Sequence, residues 1–338
     1  MTVRLLTAAE LRHLVPMSEA IGLVRHAYIA LSTGQAIVPP RLHLAVGDGG
    51  TALYMPAAVP ADGALGVKAV TVCPTNAARG LPTIHALVLV QDASTGAPRG
   101  LIEGAALTAL RTGAAGGLAA QLLARPEAHI AALFGTGVQA RAQLEAAFAV
   151  RPLTQVRVVG RDPGRTRAFV RWAAAQPWSG GATILAASSP ELAVRGADLV
   201  ITATTSPTPV VPTEEVAPGC HVTAVGAFTP QTREVDGALV GRATVVVESR
   251  AAALAEAGDL LLAIAEGRFA PERIHAEIGE VAAGLRPGRT RPDEVTLFKS
   301  VGTAVLDVAV GAAALRRAEA VGVGWTVELG GTGAGGEA

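Results

Sequence analysis

The chain has 338 residues, half of them hydrophobic, and its 28 basic and 28 acidic side chains cancel at neutral pH. That length is enough for two domains, each with its own core. Zero net charge and only 3% aromatic residues leave neither a general attraction for phosphate backbones nor stacking platforms for bases, so no nucleic-acid partner is expected. The mean hydropathy of +0.40 comes from dispersed Ala, Val and Leu. Its richest stretch, residues 104–124, is cut by Arg111 and diluted by glycine, and no membrane span is expected.

The N-terminus, MTVRLLTAAELRHLVP, lacks the basic start, apolar core and cleavage site of a secretory signal. Cys73 and Cys220 are too few for a disulfide framework and too isolated for a zinc site. A cytoplasmic chain with both cysteines serving as small core residues is the expectation.

In chain order, residues 8–31 read as two short helices broken at Pro16. Residues 51–55, 66–72 and 83–91 read as strands bounded by Gly, Pro or Asp, with 92–96 a turn. An Ala-rich helical stretch follows through residue 124 and is closed by Pro126. Strands and helices then alternate: strand 130–134, helix 139–150, strand 156–159, helix 166–175, strand 182–186. Further near-continuous apolar runs follow at 199–202, 221–225 and 243–247. Such runs with helices between them indicate a parallel sheet covered on both faces, an α/β fold. Beyond Glu248 the chain reads as helical, with a loop at 285–292 and one Ala-rich helix over 298–320. Residues 330–338, almost all Gly, Ala and Thr, are expected to be disordered.

Gly135-Thr136-Gly137-Val138-Gln139-Ala140 matches G-x-G-x-x-A directly after an apolar strand and at a helix start. Gly135 permits the tight turn, Gly137 lets the backbone approach a pyrophosphate, and Ala140 allows close packing of helix on strand. The helix N-terminus then offers N–H groups to the phosphates. The second strand of this unit ends Val159-Gly160-Arg161, where an NAD-specific site carries an acid for the ribose hydroxyls. Arg161 instead offers a planar cation to a 2′-phosphate, which favours NADPH. Asp162, turned inward, would keep NADH usable, and a solvated surface charge is the alternative reading of Arg161.

Taken together, Pro40-Arg41, Met55-Pro56, Gly66-Val67-Lys68, NAARGLPT at 76–83, LTALRTGAA at 107–115, the Gly135 turn, residues 224–226 and Phe298-Lys299-Ser300-Val301-Gly302 make the chain resemble the ornithine cyclodeaminase and mu-crystallin family through about Val321. That resemblance implies a Rossmann domain, residues 114–302, inserted into an α+β substrate and dimerisation domain built from 1–113 and 303–329. It implies a homodimer. It also implies that Arg41, Lys68 and Arg111 bind a substrate carboxylate, with Arg111 also near the cofactor. The physical reason is that a desolvated anion needs charge-assisted donors, and a cation in the apolar run around Lys68 or the Ala-rich helix of Arg111 is costly without a partner. The family's cofactor contacts would fall on Thr83, Val138, Gln139, Arg161, Thr202, Thr204, Val225, Gly226, Lys299 and Ser300, beside Gly135 and Gly137.

One departure bears on activity. Cyclodeaminases of the family carry an Asp two residues after the glycine matching Gly226, and here that position is Phe228, which can neither accept a proton nor hold an ammonium. The region cyclodeaminases use for ornithine's distal amine holds Leu53 and Tyr54. The resemblance therefore implies the branch that reduces cyclic ketimines, Δ1-pyrroline-2-carboxylate or Δ1-piperideine-2-carboxylate, with Phe228 lining the substrate ring. Alternatives are ornithine cyclodeamination, an amino-acid dehydrogenase acting on open-chain imines, and a crystallin-like NADPH-binding protein with little turnover. No metal is expected, since the seven histidines are dispersed without H-E-x-x-H spacing, and there is no G-x-S-x-G elbow. His43, two residues from Arg41, reads as a surface or core histidine with a proton relay as the alternative.

Overall fold

The computed structural model describes residues 1–47 and 49–330; most of the tail expected to be disordered, residues 331–338, lies outside the described residues. The chain divides into two compact units, Met1–Arg111 with Thr303–Ala338, and Thr112–Gly302. The boundary falls inside the helix Gly104–Leu123.

The first unit is built on a seven-stranded sheet. From edge to edge its strands are Trp325–Glu328, Thr2–Leu6, Pro98–Glu103, Ile84–Asp92, Ala64–Val72, Gly50–Val59 and Leu42–Val46. All neighbours are antiparallel except Thr2–Leu6 with Pro98–Glu103. Burial alternates along Ala64–Val72, with Gly66, Lys68 and Val70 turned to the covered face, the period of 2 that a sheet with one packed face imposes. The helix Ala304–Val321, buried from Ala304 through Leu315, packs against three central strands and the helix Met17–Ser32. Small residues permit that approach: a Cβ at Gly66 would come within 2.4 Å of the Leu89 carbonyl oxygen and 3.2 Å of Val308. The opposite face is apolar and open, with Leu42, Leu44, Tyr54 and Leu87 exposed.

The second unit is an eight-stranded, all-parallel sheet: Ile274–Glu277, Thr244–Val247, Thr296–Lys299, His221–Ala224, Leu199–Thr202, Ile130–Phe134, Gln155–Val159, Thr183–Ala186. Successive residues feed two separate apolar clusters, Ala132 and Phe134 one, Ala131 and Leu133 the other. A sheet buried on both faces therefore accounts for the near-continuous apolar runs. From the Thr183–Ala186 edge the first five strands follow the doubly wound order 3-2-1-4-5. Its reversal between Ile130–Phe134 and Leu199–Thr202 is the crevice where such sheets bind ligands.

Several elements differ from expectation. Residues 298–320 are not one helix: Phe298 and Lys299 close the buried strand Thr296–Lys299, and the helix starts at Ala304. Thr-Leu-Phe-Lys is a four-residue strand, too short to show a period that separates strand from helix. The strand Ile274–Glu277, Ile-His-Ala-Glu with a register shift, carries no apolar run at all. Thr2–Leu6 and Trp325–Glu328 are strands that pair with each other, a contact between distant ends of the sequence. Cys220 is buried and Cys73 half-buried. Among the described residues no helix is long and apolar enough to cross a membrane, and no group of His, Cys, Asp and Glu is gathered to hold a metal.

Candidate active site

In the first unit, the strand Ala64–Val72 turns Lys68 to the packed face, and the helix Ala304–Val321 brings Asp307 to it in its first turn. Lys68 Nζ donates to Asp307 Oδ2 at 2.8 Å, and Arg111 Nε donates to Asp307 Oδ1 at 3.1 Å. All three side chains are buried. Two of the three expected carboxylate ligands thus meet on one acid that spacing did not reveal. Two cations against one carboxylate leave a positive charge uncompensated where charge is expensive, and Arg111 Nη1 is buried without a hydrogen-bond partner. Such a cluster is chemically suited to hold an anion through charge-assisted bonds.

The Lys68 ammonium is pushed down from its ordinary range to about 8, first by burial and then by the Arg111 and Arg41 charges, with Asp307 opposing. Arg41 is half-buried, and its effect on Lys68 ties it electrostatically to the pair. Thr83 is exposed, its carbonyl accepting from Cys73 N–H. His43 is exposed on the strand Leu42–Val46. Leu53 is buried and Tyr54 is directed to the open sheet face.

In the second unit the strand Ile130–Phe134 runs into the turn and the helix Val138–Val150. Gly135 has φ 111°, and a Cβ there would come within 2.3 Å of the Ala203 carbonyl oxygen, so only glycine fits. Gly137 is the helix N-cap, with no side-chain cap and nothing within 4 Å of a Cβ placed on it. The first N–H groups of a 13-residue helix therefore face open space, and Val138 beside them is exposed. Gln139 Oε1 is buried without a partner, while Ala140 is fully buried. An uncapped N-terminus and a glycine cradle fit a pyrophosphate, while the orphaned amide oxygen, an acceptor, suits a hydroxyl donor and not a phosphate oxygen.

At the end of the next strand Arg161 is exposed. Asp162 caps the helix Pro163–Ala174, its Oδ1 accepting from Arg165 N–H at 2.7 Å. A Cβ on Gly160 would lie 2.3 Å from Thr166 Oγ1 and 2.9 Å from Thr136 Cγ2, so a larger residue at that position would require both threonine side chains to shift.

The remaining expected cofactor positions follow the C-terminal ends of three central strands, but much of their polarity is engaged inside the protein. Thr202 Oγ1 donates to Glu234 Oε2 at 2.8 Å, and Gly226 N–H to the same oxygen at 2.6 Å. Thr204 donates through N–H and Oγ1 to Glu234 Oε1 at 2.7 and 2.8 Å. Lys299 Nζ pairs with Asp259 Oδ2 at 2.7 Å and donates to the Ala227 carbonyl at 2.6 Å. Ser300 Oγ donates to Glu248 Oε2 at 3.2 Å, and Val225 N–H to the Thr202 carbonyl. Lys299 and Ser300, expected among the cofactor contacts, have their side-chain groups on buried acids. Phe228, two residues beyond Gly226, is exposed.

The whole chain has close counterparts. The family model described as ornithine cyclodeaminase/mu-crystallin family matches residues 1–320. A Δ1-pyrroline-2-carboxylate reductase of Bacillus cereus is 40% identical over 326 residues, covering 96% of this chain and 99% of that one. Among solved structures, the Δ1-pyrroline-2-carboxylate reductase of Thermococcus litoralis, in complex with NADH and L-proline, is similar with a TM-score of 0.91 and 38% identity over 96% of this chain and 100% of that one. An archaeal alanine dehydrogenase dimer with bound NAD gives 0.90 and 34%, over 97% and 100%.

Proposed function

The chain belongs to the ornithine cyclodeaminase/mu-crystallin family, and from that premise we propose that it reduces cyclic ketimines, Δ1-pyrroline-2-carboxylate and its six-membered homologue, to L-proline and L-pipecolate with a nicotinamide dinucleotide. The observation that carries this reading is the likeness to Δ1-pyrroline-2-carboxylate reductases along nearly the full length of both chains.

In this reading Lys68 and Arg111, with Arg41 nearby, hold the substrate carboxylate, and the anion compensates the charge that Asp307 leaves over. Clamping it in one orientation fixes the C=N carbon for attack, which is the larger part of what such an enzyme must do. The bound dinucleotide supplies the hydride. Hydride addition needs the protonated imine; ketimines are less basic than amines, but the adjacent carboxylate of the substrate stabilises the iminium, and this is the form that binds. The carbon gains a hydride, the C=N bond becomes C–N, and the nitrogen keeps its proton. No enzyme carboxylate is needed beside the ring in this reading, and Phe228, standing where cyclodeaminases carry an Asp, supplies none.

Gly135, Gly137 and the N-terminus of Val138–Val150 would hold the pyrophosphate. NADPH is the preferred cofactor in this reading, because the position that would carry an acid is Gly160, Asp162 is engaged as a helix cap and the exposed Arg161 can meet a 2′-phosphate. The active form is a homodimer: the open apolar face with Leu42, Leu44, Tyr54 and Leu87 is larger than scattered surface residues require, and a second copy of the same face covers it isologously.

A panel of cyclic and open-chain imines, followed at 340 nm with NADPH and NADH, tests the proposal. The cyclic ketimines are expected to be turned over fastest and L-ornithine to release no ammonia. Ammonia and proline from L-ornithine would overturn it.

A further inference from the structure

Two aspartates in the parallel-sheet unit use the same device at different strand ends. Asp198 Oδ2 accepts from the consecutive His129 and Ile130 N–H groups at 2.9 and 3.0 Å, while its Oδ1 meets Arg125. It precedes the strand Leu199–Thr202 and ties its N-terminal end to that of Ile130–Phe134. Asp259 Oδ1 accepts from the consecutive Glu234 and Val235 N–H groups at 2.7 and 3.0 Å, and its Oδ2 meets Lys299. Lys299 ends the strand Thr296–Lys299. The second pair continues through the backbone it holds into a buried acid, Glu234, whereas Arg125 of the first meets the exposed Glu127.

Asp259 holds the backbone of Glu234. The Glu234 carboxylate then gathers Thr202 Oγ1, Thr204 N–H, Thr204 Oγ1 and Gly226 N–H, while Lys299 holds the Ala227 carbonyl. Glu234, Asp259 and Lys299 are all buried. The segments that follow Leu199–Thr202 and His221–Ala224 are thereby fixed, and the first of them supplies the Ala203 carbonyl against which Gly135 is packed. From this juxtaposition we infer that Glu234, held by Asp259 and Lys299, is a positioning residue that shapes the dinucleotide site without touching the cofactor. The inference rests on the reading of this unit as the cofactor domain.

The donors around Glu234 leave no room for an amide. Each Glu234 oxygen receives one backbone N–H, from Thr204 on Oε1 and from Gly226 on Oε2. A hydroxyl can rotate to become an acceptor; a backbone N–H cannot. In Glu234→Gln the amide NH2 must face one of these N–H groups whichever way it is flipped, so one segment must move although shape is preserved. A buried donor facing a donor is left without its bond.

The experiment is titration of the full-length protein with NADH and NADPH, read by nucleotide fluorescence, for the unmodified chain, Glu234→Gln, Asp259→Asn and Asp198→Asn, with thermal melting of each. Glu234→Gln is expected to weaken nucleotide binding by about ten- to a hundredfold and Asp259→Asn by less. Asp198→Asn is expected to lower the melting temperature with binding unchanged. Should Glu234→Gln fail to fold, the contrast of Asp259→Asn with Asp198→Asn decides the same question, since both change one oxygen in a matched arrangement. Unchanged binding in the folded Glu234→Gln or Asp259→Asn protein, or equal weakening by Asp198→Asn, would overturn the inference. Absence of nucleotide binding by the unmodified chain would instead overturn the cofactor reading beneath it.

Discussion

The two units offer candidate anion sites built by opposite means. In the first, side-chain charge does the work: Lys68 and Arg111 are buried around Asp307 with one positive charge left over. In the second, the candidate phosphate site at Gly137 is backbone, an uncapped helix end with open space above it, and the buried charges nearby face inward to hold loops. A carboxylate on a small, variable-pose substrate needs strong, directional cations to fix it. A pyrophosphate on a large cofactor is held by many contacts, so helix N–H groups and glycine clearance suffice. Substitution of single side chains should therefore harm the first site far more than the second.

The largest effect is expected at the first site. Arg111→Ala or Lys68→Ala should lower kcat/KM by about 2 to 4 kcal/mol, roughly 30- to 1000-fold, because each removes a charge-assisted contact. Part of this cost is the disturbance of Asp307, which is left with one cation. Steady-state kinetics on protein checked for folding by circular dichroism decides it, and wild-type kinetics would remove that residue from the site.

A second difference is pH sensitivity. Lys68 loses its proton at about 8, so the first site sheds a positive charge as pH rises through that value, and affinity for a carboxylate falls above it. Pyrrole-2-carboxylate, whose own charge stays constant from pH 6 to 10, should show a rising inhibition constant above about pH 8. Asp307→Asn removes the charge that opposes deprotonation of Lys68, so it should move this limb to lower pH. Nucleotide binding, which uses backbone groups, should show no such limb. A flat profile for the inhibitor would separate Lys68 from carboxylate binding.

The smallest effect belongs to the one place where the second unit is read as using charge. Arg161→Ala should raise the KM for NADPH by about tenfold, the worth of one exposed charge-assisted contact, and leave NADH nearly unchanged. Equal effects on both cofactors would show that Arg161 does not meet the 2′-phosphate.

What the sequence discloses follows the same division. The Gly135 turn was legible because its chemistry is local: a strand, two glycines and a helix start lie within a few residues. Most strands of the parallel sheet were legible as apolar runs, but the interior strand Thr296–Lys299 was not, and Ile274–Glu277 and Thr2–Leu6 depend on partners distant in sequence. Lys68 and Arg111 stood out as cations in apolar surroundings, but Asp307, Glu234 and Asp259 did not, since a first-turn acid such as Asp307 or Asp259 reads as ordinary helix capping. The signal available for Asp307 was the one used for Lys68, a charge inside an apolar run, Val305-Leu306-Asp307-Val308, where an unpaired charge is costly. Glu234 lies in a loop between Arg233 and Val235, outside any apolar run, and only the fold reveals the donors it collects.

Hydride delivery to the carbon of a cyclic ketimine is tested most directly with isotope. Δ1-pyrroline-2-carboxylate incubated with the protein and [4-2H]NADPH carrying deuterium at both C4 positions should yield L-proline with one deuterium at the α-carbon, seen by proton NMR and as a mass increase of about one unit, since one hydride is transferred per turnover. Unlabelled proline, or no proline while L-ornithine is converted with release of ammonia, would contradict it.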